Sequence, residues 1–184
     1  MIKQANKNNI ENISTLIHDA IHDIAITLTG ENENEKILET LDYYIKMDIN
    51  RLSYNNIYTY EIQNQTVGIL VAYSSNDVEK LDSPILEHIN QKNIALDRFE
   101  KECFPDEFYI DTVSVSSSFQ GRGIAKELFS FAEQRAKELN FKKLSLLVDF
   151  ENPKAKALYE KLGFTDNDVL EVSGSQFSHM IKKL

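Results

Sequence analysis

The chain has no tryptophan, one cysteine, three prolines and six glycines in 184 residues. A lone cysteine, Cys103, cannot close an intramolecular disulfide, which fits a reducing compartment and points to the cytoplasm. With so little proline and glycine there is no flexible linker, and no segment repeats, so one domain over 1–184 is expected. Positive charge is also scarce. Twenty Lys and Arg against 29 Asp and Glu leave a formal charge of −9, a surface that repels a phosphate backbone and makes nucleic acid a poor partner. Long apolar runs are missing as well: Val67–Tyr73, the longest, spans seven residues where a bilayer needs roughly 20, so no membrane partner is expected. The start, MIKQANKNNIENIS, lacks the apolar core and cleavage site of an export signal.

What is present reads as a mixed α/β chain. Hydrophobic residues at 42% and charged residues at 27% are ordinary for a domain with a buried core. Ile10, Ile13, Ile17, Ile21, Ile24 and Leu28 step by three and four, which predicts one amphipathic helix, and a second is predicted from about Glu33 to Arg51. Asn55–Ile62 and Thr66–Ser74 flank a polar Gln63-Asn64-Gln65 and read as an antiparallel hairpin. The segment 76–106 reads as an inserted helix, with Ile85, Ile89, Leu96, Phe99 and Cys103 on one face. Next come a strand (108–115), a polar loop, a helix (123–139), a strand (143–149) and a helix (153–162), the pattern of a parallel crossover. Val169–Val172 and Gln176–Ile181 around Ser173-Gly174-Ser175 close the chain as a hairpin.

The loop Gln120-Gly121-Arg122-Gly123-Ile124-Ala125 falls where a strand hands over to a helix. A helix start carries unpartnered N–H groups and about half a positive charge, and glycines let a phosphate approach them; Arg122 and Lys126 add local charge. Read alone, such a loop is as readily a tight turn. A dinucleotide fingerprint would need a third glycine where Lys126 stands, and a Walker A sequence is absent, so both nucleotide readings are weak.

A second motif lies downstream: Asn152-Pro153-Lys154-Ala155-Lys156-Ala157-Leu158-Tyr159, then Gly163-Phe164. Gln-x-x-Gly-x-Ala followed about thirty residues later by Asn-x-x-Ala-x-x-Leu-Tyr and Gly-Phe resembles the GNAT superfamily of acetyl-CoA dependent N-acetyltransferases. The resemblance implies a mixed sheet with flanking helices and a strand at Asp111–Val115 that splays from its neighbour, with Val113 and Val115 pairing to a pantetheine arm. It implies that Gln120, Gly121, Arg122, Gly123, Ile124 and Ala125 cradle the pyrophosphate with Lys126 alongside. Asn152 would hold the pantetheine from the other side, and Tyr159 would point at the thioester sulfur as the acid for the leaving thiolate. The first two helices and the last hairpin would line an acceptor pocket for a small-molecule or peptide amine. Acetyl-CoA is the expected cosubstrate, no metal is expected, and a homodimer is one possible assembly.

The chemistry fits these residue types. An amine with a lysine-like pKa near 10.4 costs roughly 4 to 5 kcal/mol to deprotonate at pH 7, so a base or a water wire is wanted. If Val113 and Val115 face the cleft, period two puts Asp111 beside them as a base candidate; a structural ion pair is the equal alternative, with Glu61 and Glu107 behind. Tyr159 read alone would more often be a packing residue. His18 and His22, four apart, could bind zinc but have no third ligand in view, and a surface or pocket-rim place suits them better. Cys103 reads as buried, and Glu31, Glu33 and Glu35 as a solvated run that would favour a cationic acceptor if it borders the cleft. A non-catalytic CoA-binding or interaction module is the main rival, and an oxidoreductase on the apparent dinucleotide loop a third reading. Which amine is accepted has no sequence code here.

Overall fold

The computed structural model describes all residues 1–184. Seven strands form one mixed sheet in the order β1 (Ile2–Gln4), β2 (Ile57–Ile62), β3 (Gln65–Ser74), β4 (Phe108–Val115), β5 (Lys143–Asp149), β7 (Ser175–Lys183), β6 (Thr165–Val172). All neighbours are antiparallel except β4 and β5, which the crossover helix α5 (Ile124–Glu138) joins in parallel. One face is covered by α1 (Ile13–Ile21), α2 (Ile24–Thr29), α3 (Asn34–Lys46) and α4 (Val78–Gln91). The other face is covered by α5 and α6 (Pro153–Lys161). Both faces are buried, so β3 is buried from Thr66 to Tyr73 instead of alternating with solvent.

Four predicted elements differ. The first helix breaks at His22, whose backbone sits at φ 45 and ψ −122, and restarts at Ile24. The break aims Ala25 and Leu28 at the core already holding Ile13, Leu16 and Ile17, and leaves Ile26 exposed. The second helix ends at Lys46, not near Arg51, because side chains take over its last carbonyls: Asn50 Nδ2 donates to Tyr44 O and Ser53 Oγ to Met47 O. That turn carries Arg51 inward, to 4% exposure. The segment 76–106 is helical only over Val78–Gln91; Asn93, at φ 62, stops it. Leu96, Phe99 and Cys103 still pack on the α1–α4 core, from irregular backbone. The closing hairpin also begins earlier, at Thr165, since Thr165–Asp168 is polar on an exposed edge and gives no apolar period.

β3 carries a glycine, Gly68, beneath the first turn of α5. A Cβ on Gly68 would stand 3.2 Å from Ile124 Cγ2 and 3.3 Å from Ser114 O, tighter than ordinary contact, so the glycine lets the first turn of α5 seat closely on β3. The close approach that a third glycine after Gly123 would have served is supplied from the strand side.

Candidate active site

The parallel pairing of β4 with β5 runs through Phe108–Leu144, Tyr109–Ser145 and Ile110–Leu146 and stops. Beyond it β4 stays bonded only to β3 as far as Val115–Gly68, and β5 only to β7 as far as Asp149–Phe177. Asp111–Val115 therefore presents an edge without a strand partner toward Leu147–Asp149, and the two strands bound an open cleft.

At the mouth of that cleft lies the glycine loop. Gly121 (φ 74) and Gly123 (φ 85) both occupy left-handed backbone, and a Cβ on either would point into open space. Gly123 is the N-cap of α5 and provides no side-chain cap; the first helical bond is Glu127 N to Gly123 O, so the N–H groups of Ile124, Ala125 and Lys126 face outward without intrahelical acceptors. Gln120 Nε2 donates to Val115 O at 3.0 Å, tying the loop to the end of β4. The Arg122 guanidinium lies 4.8 Å from the Phe119 ring centroid and donates to Ser118 O.

Across the cleft, β5 leads into α6. Asn152 caps that helix through Oδ1, which accepts from Ala155 N at 3.1 Å, so its Nδ2 is the group left for a ligand. The Tyr159 ring packs 5.3 Å from Phe129 and 6.2 Å from Phe164, in the same core as Val113 and Val115. Burial pushes its pKa up and no hydrogen bond within the protein offsets this, so the hydroxyl keeps its proton and is free to donate.

Asp111 is not where period two places it. Val71 pairs with Thr112 and Ala72 with Ile110, so Asp111 is the extra residue of a β-bulge. The alternation resets: Val113 and Val115 face the α5–α6 core, whereas Asp111 faces the α1–α4 side. There its carboxylate accepts from Arg51 Nε at 2.9 Å, the Tyr73 hydroxyl at 2.5 Å and the Thr112 hydroxyl at 2.9 Å, with 7% of the side chain exposed. Arg51 also bonds Glu102 through Nη2 at 2.8 Å and approaches Asp82 at 3.7 Å, while Tyr109 donates to Glu102 at 2.7 Å. Burial opposes the charge on Arg51, but Asp111 and Glu102 outweigh it and hold the guanidinium protonated. Burial pushes Asp82 up to about 6 despite Arg51, with Glu102 and Asp111 adding to the rise.

The other base candidates are occupied too. Glu61 pairs with Lys3 at 2.9 Å on the β2 side of the sheet. Glu107 is buried against His179 Nε2 at 3.0 Å and accepts from Phe104 N; burial would raise its pKa, but these partners lower it below its ordinary value. His22 is exposed at the end of α1 and His18 half-buried, and no group of three His, Cys, Asp or Glu stands close enough to hold a metal ion. Cys103 is buried, and burial pushes its thiol up to about 12. Glu31 is not free: Lys92 bonds it at 2.7 Å and Thr29 O at 2.8 Å. Arg51, Tyr73, Glu102 and Tyr109 carried no sequence signal, since their contacts span up to 60 residues and no local pattern encodes them.

A parallel pair that opens beside an uncapped, glycine-flanked helix start, inside a seven-stranded mixed sheet, is the architecture of the acyltransferase fold that the motifs implied. Residues 19–164 match the acetyltransferase (GNAT) family, and the chain belongs to it. It is similar over 100% of its length to a solved acetyltransferase (31% identity, TM-score 0.82, 98% of that chain). It is similarly close to an N-acetyltransferase from Staphylococcus aureus Mu50 (27% identity, TM-score 0.83, 98% of this chain and 99% of that one). An uncharacterized N-acetyltransferase, YycN of Bacillus subtilis (strain 168), is 34% identical over 71 residues, 39% of this chain and 46% of the relative. That match spans about half the length of the curated relative.

Proposed function

We propose that this chain is an N-acetyltransferase that moves an acetyl group from acetyl-CoA to a primary amine by direct attack in a ternary complex. The observation that carries this is the end of β4–β5 pairing at Ile110–Leu146 next to the outward N–H groups of α5. In this reading Val113 and Val115 bond the pantetheine as an added strand would. Gln120, Gly121, Arg122, Gly123, Ile124, Ala125 and Lys126 receive the pyrophosphate, its charge set against the helix dipole and the two cations. Asn152 Nδ2 steadies the pantetheine from β5. As the amine nitrogen bonds the thioester carbon, the carbon–sulfur bond breaks and the Tyr159 hydroxyl gives its proton to the departing sulfur. The N-substituted acetamide and CoA leave.

The proton that the amine nitrogen sheds passes to water rather than to Asp111, and solvent returns a proton to Tyr159. With three donors on one carboxylate and a guanidinium against it, Asp111 is accounted for as the counter-ion that sets Arg51 in place. Segment 76–106 walls the acceptor side of the single domain, tied to the α2–α3 turn by Lys92. No helix is long and apolar enough to cross a membrane; the support for a reducing, cytoplasmic compartment is the one buried, unpaired cysteine. The test is thiol release from acetyl-CoA across a panel of amines, beside calorimetric titration with CoA. CoA binding without amine-dependent thiol release would leave a binding module; absence of CoA binding would overturn the reading.

A further inference from the structure

Thr27 and Leu28 of α2, the irregular segment Leu96–Glu102 and Val172–Ser173 of the β6–β7 turn enclose a cavity of about 340 Å³, the size of a small-molecule site. Its walls are mainly apolar: Ile24, Leu28, Leu96, Phe99 and Val172. The Ser173 N–H, held by the Glu100 carboxylate, and the Ser173 hydroxyl, 3.4 Å from that of Thr27, close one side. Arg98 stands exposed at the rim. Glu102 belongs to this lining and also to the Arg51 cluster, where Arg51 Nη2 sits 2.8 Å from both Glu102 and Asp111, the first residue of β4 past the last β4–β5 pair. Through Glu102 and Arg51 the cavity lining is linked by ion pairs to Asp111, where the β4–β5 pairing ends.

The cluster is short of positive charge, with one guanidinium facing the carboxylates of Asp82, Glu102 and Asp111. A second sign of that deficit is Asp82 Oδ1, which is buried and has no hydrogen-bond partner. Buried carboxylates without full compensation favour the arrival of a cation that can donate hydrogen bonds. Of the three, Glu102 is the one that reaches the cavity, with 17% of its side chain exposed. Resting on the acetyl-transfer reading, we infer that the acceptor is a monoamine with an apolar body, its ammonium read by Glu102 and its alkyl or aryl part by the Ile24, Leu28, Leu96, Phe99 and Val172 walls. A polyamine fits less well: the other lining carboxylate, Glu100, is engaged by the Ser173 N–H, so further ammonium groups would be stripped of water against those apolar walls.

The experiment uses the full chain saturated with CoA for binding, or with acetyl-CoA for turnover, and 2-phenylethylamine and spermidine as probes. Calorimetry should show 2-phenylethylamine binding, and its KM should lie at least tenfold below that of spermidine. Glu102→Gln keeps an oxygen for Tyr109 and Arg51, so it should fold, and should raise the KM for 2-phenylethylamine tenfold or more with a smaller change in kcat. Phe99→Ala, away from the ion cluster, should raise it severalfold, and Glu79→Gln on exposed α4 should leave it unchanged. Spermidine preferred over 2-phenylethylamine, no heat of 2-phenylethylamine binding, or a Glu102→Gln KM equal to the parent's would each overturn the inference. Binding of 2-phenylethylamine weakened by Glu102→Gln, with no acetylation of any amine, would instead uphold the pocket and overturn acetyl transfer.

Discussion

Tyr159 and Asp111 both carry an acid-base group near the cleft, and their surroundings assign them opposite tasks. The Tyr159 hydroxyl has no partner and its ring is fixed by Phe129 and Phe164, so Tyr159→Phe should leave stability within about 0.5 kcal/mol of the parent. Turnover should fall on the order of 10²-fold with acetyl-CoA affinity unchanged. A thioester with a more acidic thiol should lose less; an equal loss for both thiols makes Tyr159 a packing residue. Asp111→Asn strips a carboxylate from Arg51, and since breaking a buried pair costs about 3–5 kcal/mol when no other partner remains, a smaller loss of roughly 1–3 is expected here. Its pH–rate profile should keep the parent's shape, whereas loss of the parent's acidic-limb dependence, with rate recovering as pH rises and neutral amine accumulates, would return Asp111 to the role of base. Asp82 offers a test by pH. Its folded pKa of about 6 lies above the ordinary 3.8, so it stabilises the fold below pH 4 relative to neutrality, and that stability is lost as pH rises through about 6. At about 1.4 kcal/mol per tenfold, the ionised form costs up to about 3 kcal/mol. Asp82→Asn should therefore melt higher than the parent at pH 7.5, and the gain should vanish near pH 4; a constant difference across that range would contradict the buried, charge-poor cluster.

Elements whose function is local were legible in the sequence, and those built by distant contacts were not. The Gly121–Gly123 turn and the helix start at Asn152 each combine a turn, a helix start and a residue type within a few positions, so their places were legible locally, while the cofactor role proposed for them came from the paired motifs and the family resemblance. The bulge at Asp111 is invisible to a period-two count, because it is fixed by register against β3. The helix break at His22 likewise serves the burial of Ala25 and Leu28, and the early end of α3 serves Arg51, 60 residues from its counter-ion. The loop's contribution can be separated from backbone strain by a matched pair. Gly123 (φ 85) and Gly174 (φ 78) both sit in left-handed backbone with open space at Cβ. Alanine at either should cost about 1–2 kcal/mol of stability. Titration with acetyl-CoA should show weakened binding for Gly123→Ala and none of that weakening for Gly174→Ala, with Gly123→Val weaker still. Equal affinities in the two alanine variants would take the α5 N-terminus out of the cofactor site.

At the scale of the molecule, the two ligands of the proposed reaction meet opposite fields. The chain carries −9, and its carboxylate-rich cluster at Arg51 shares Glu102 with the proposed acceptor cavity, while the cations Arg122 and Lys126 are gathered at the proposed cofactor loop. A cationic amine is drawn both by the net charge over long range and by Glu102 at contact, and salt screens each, with a Debye length of about 30 Å at 0.01 M and about 8 Å at 0.15 M. The KM for 2-phenylethylamine should therefore rise severalfold between those ionic strengths at saturating acetyl-CoA. An alkoxyamine, uncharged at pH 7, has no such attraction to lose and should hold its KM. The two acceptors share the chemical step, so any effect of salt on the protein's own stability or on cofactor binding would move both. A KM for 2-phenylethylamine that stays flat with salt, or an alkoxyamine that shifts in parallel, would mean that the acidity of this surface takes no part in drawing the acceptor in.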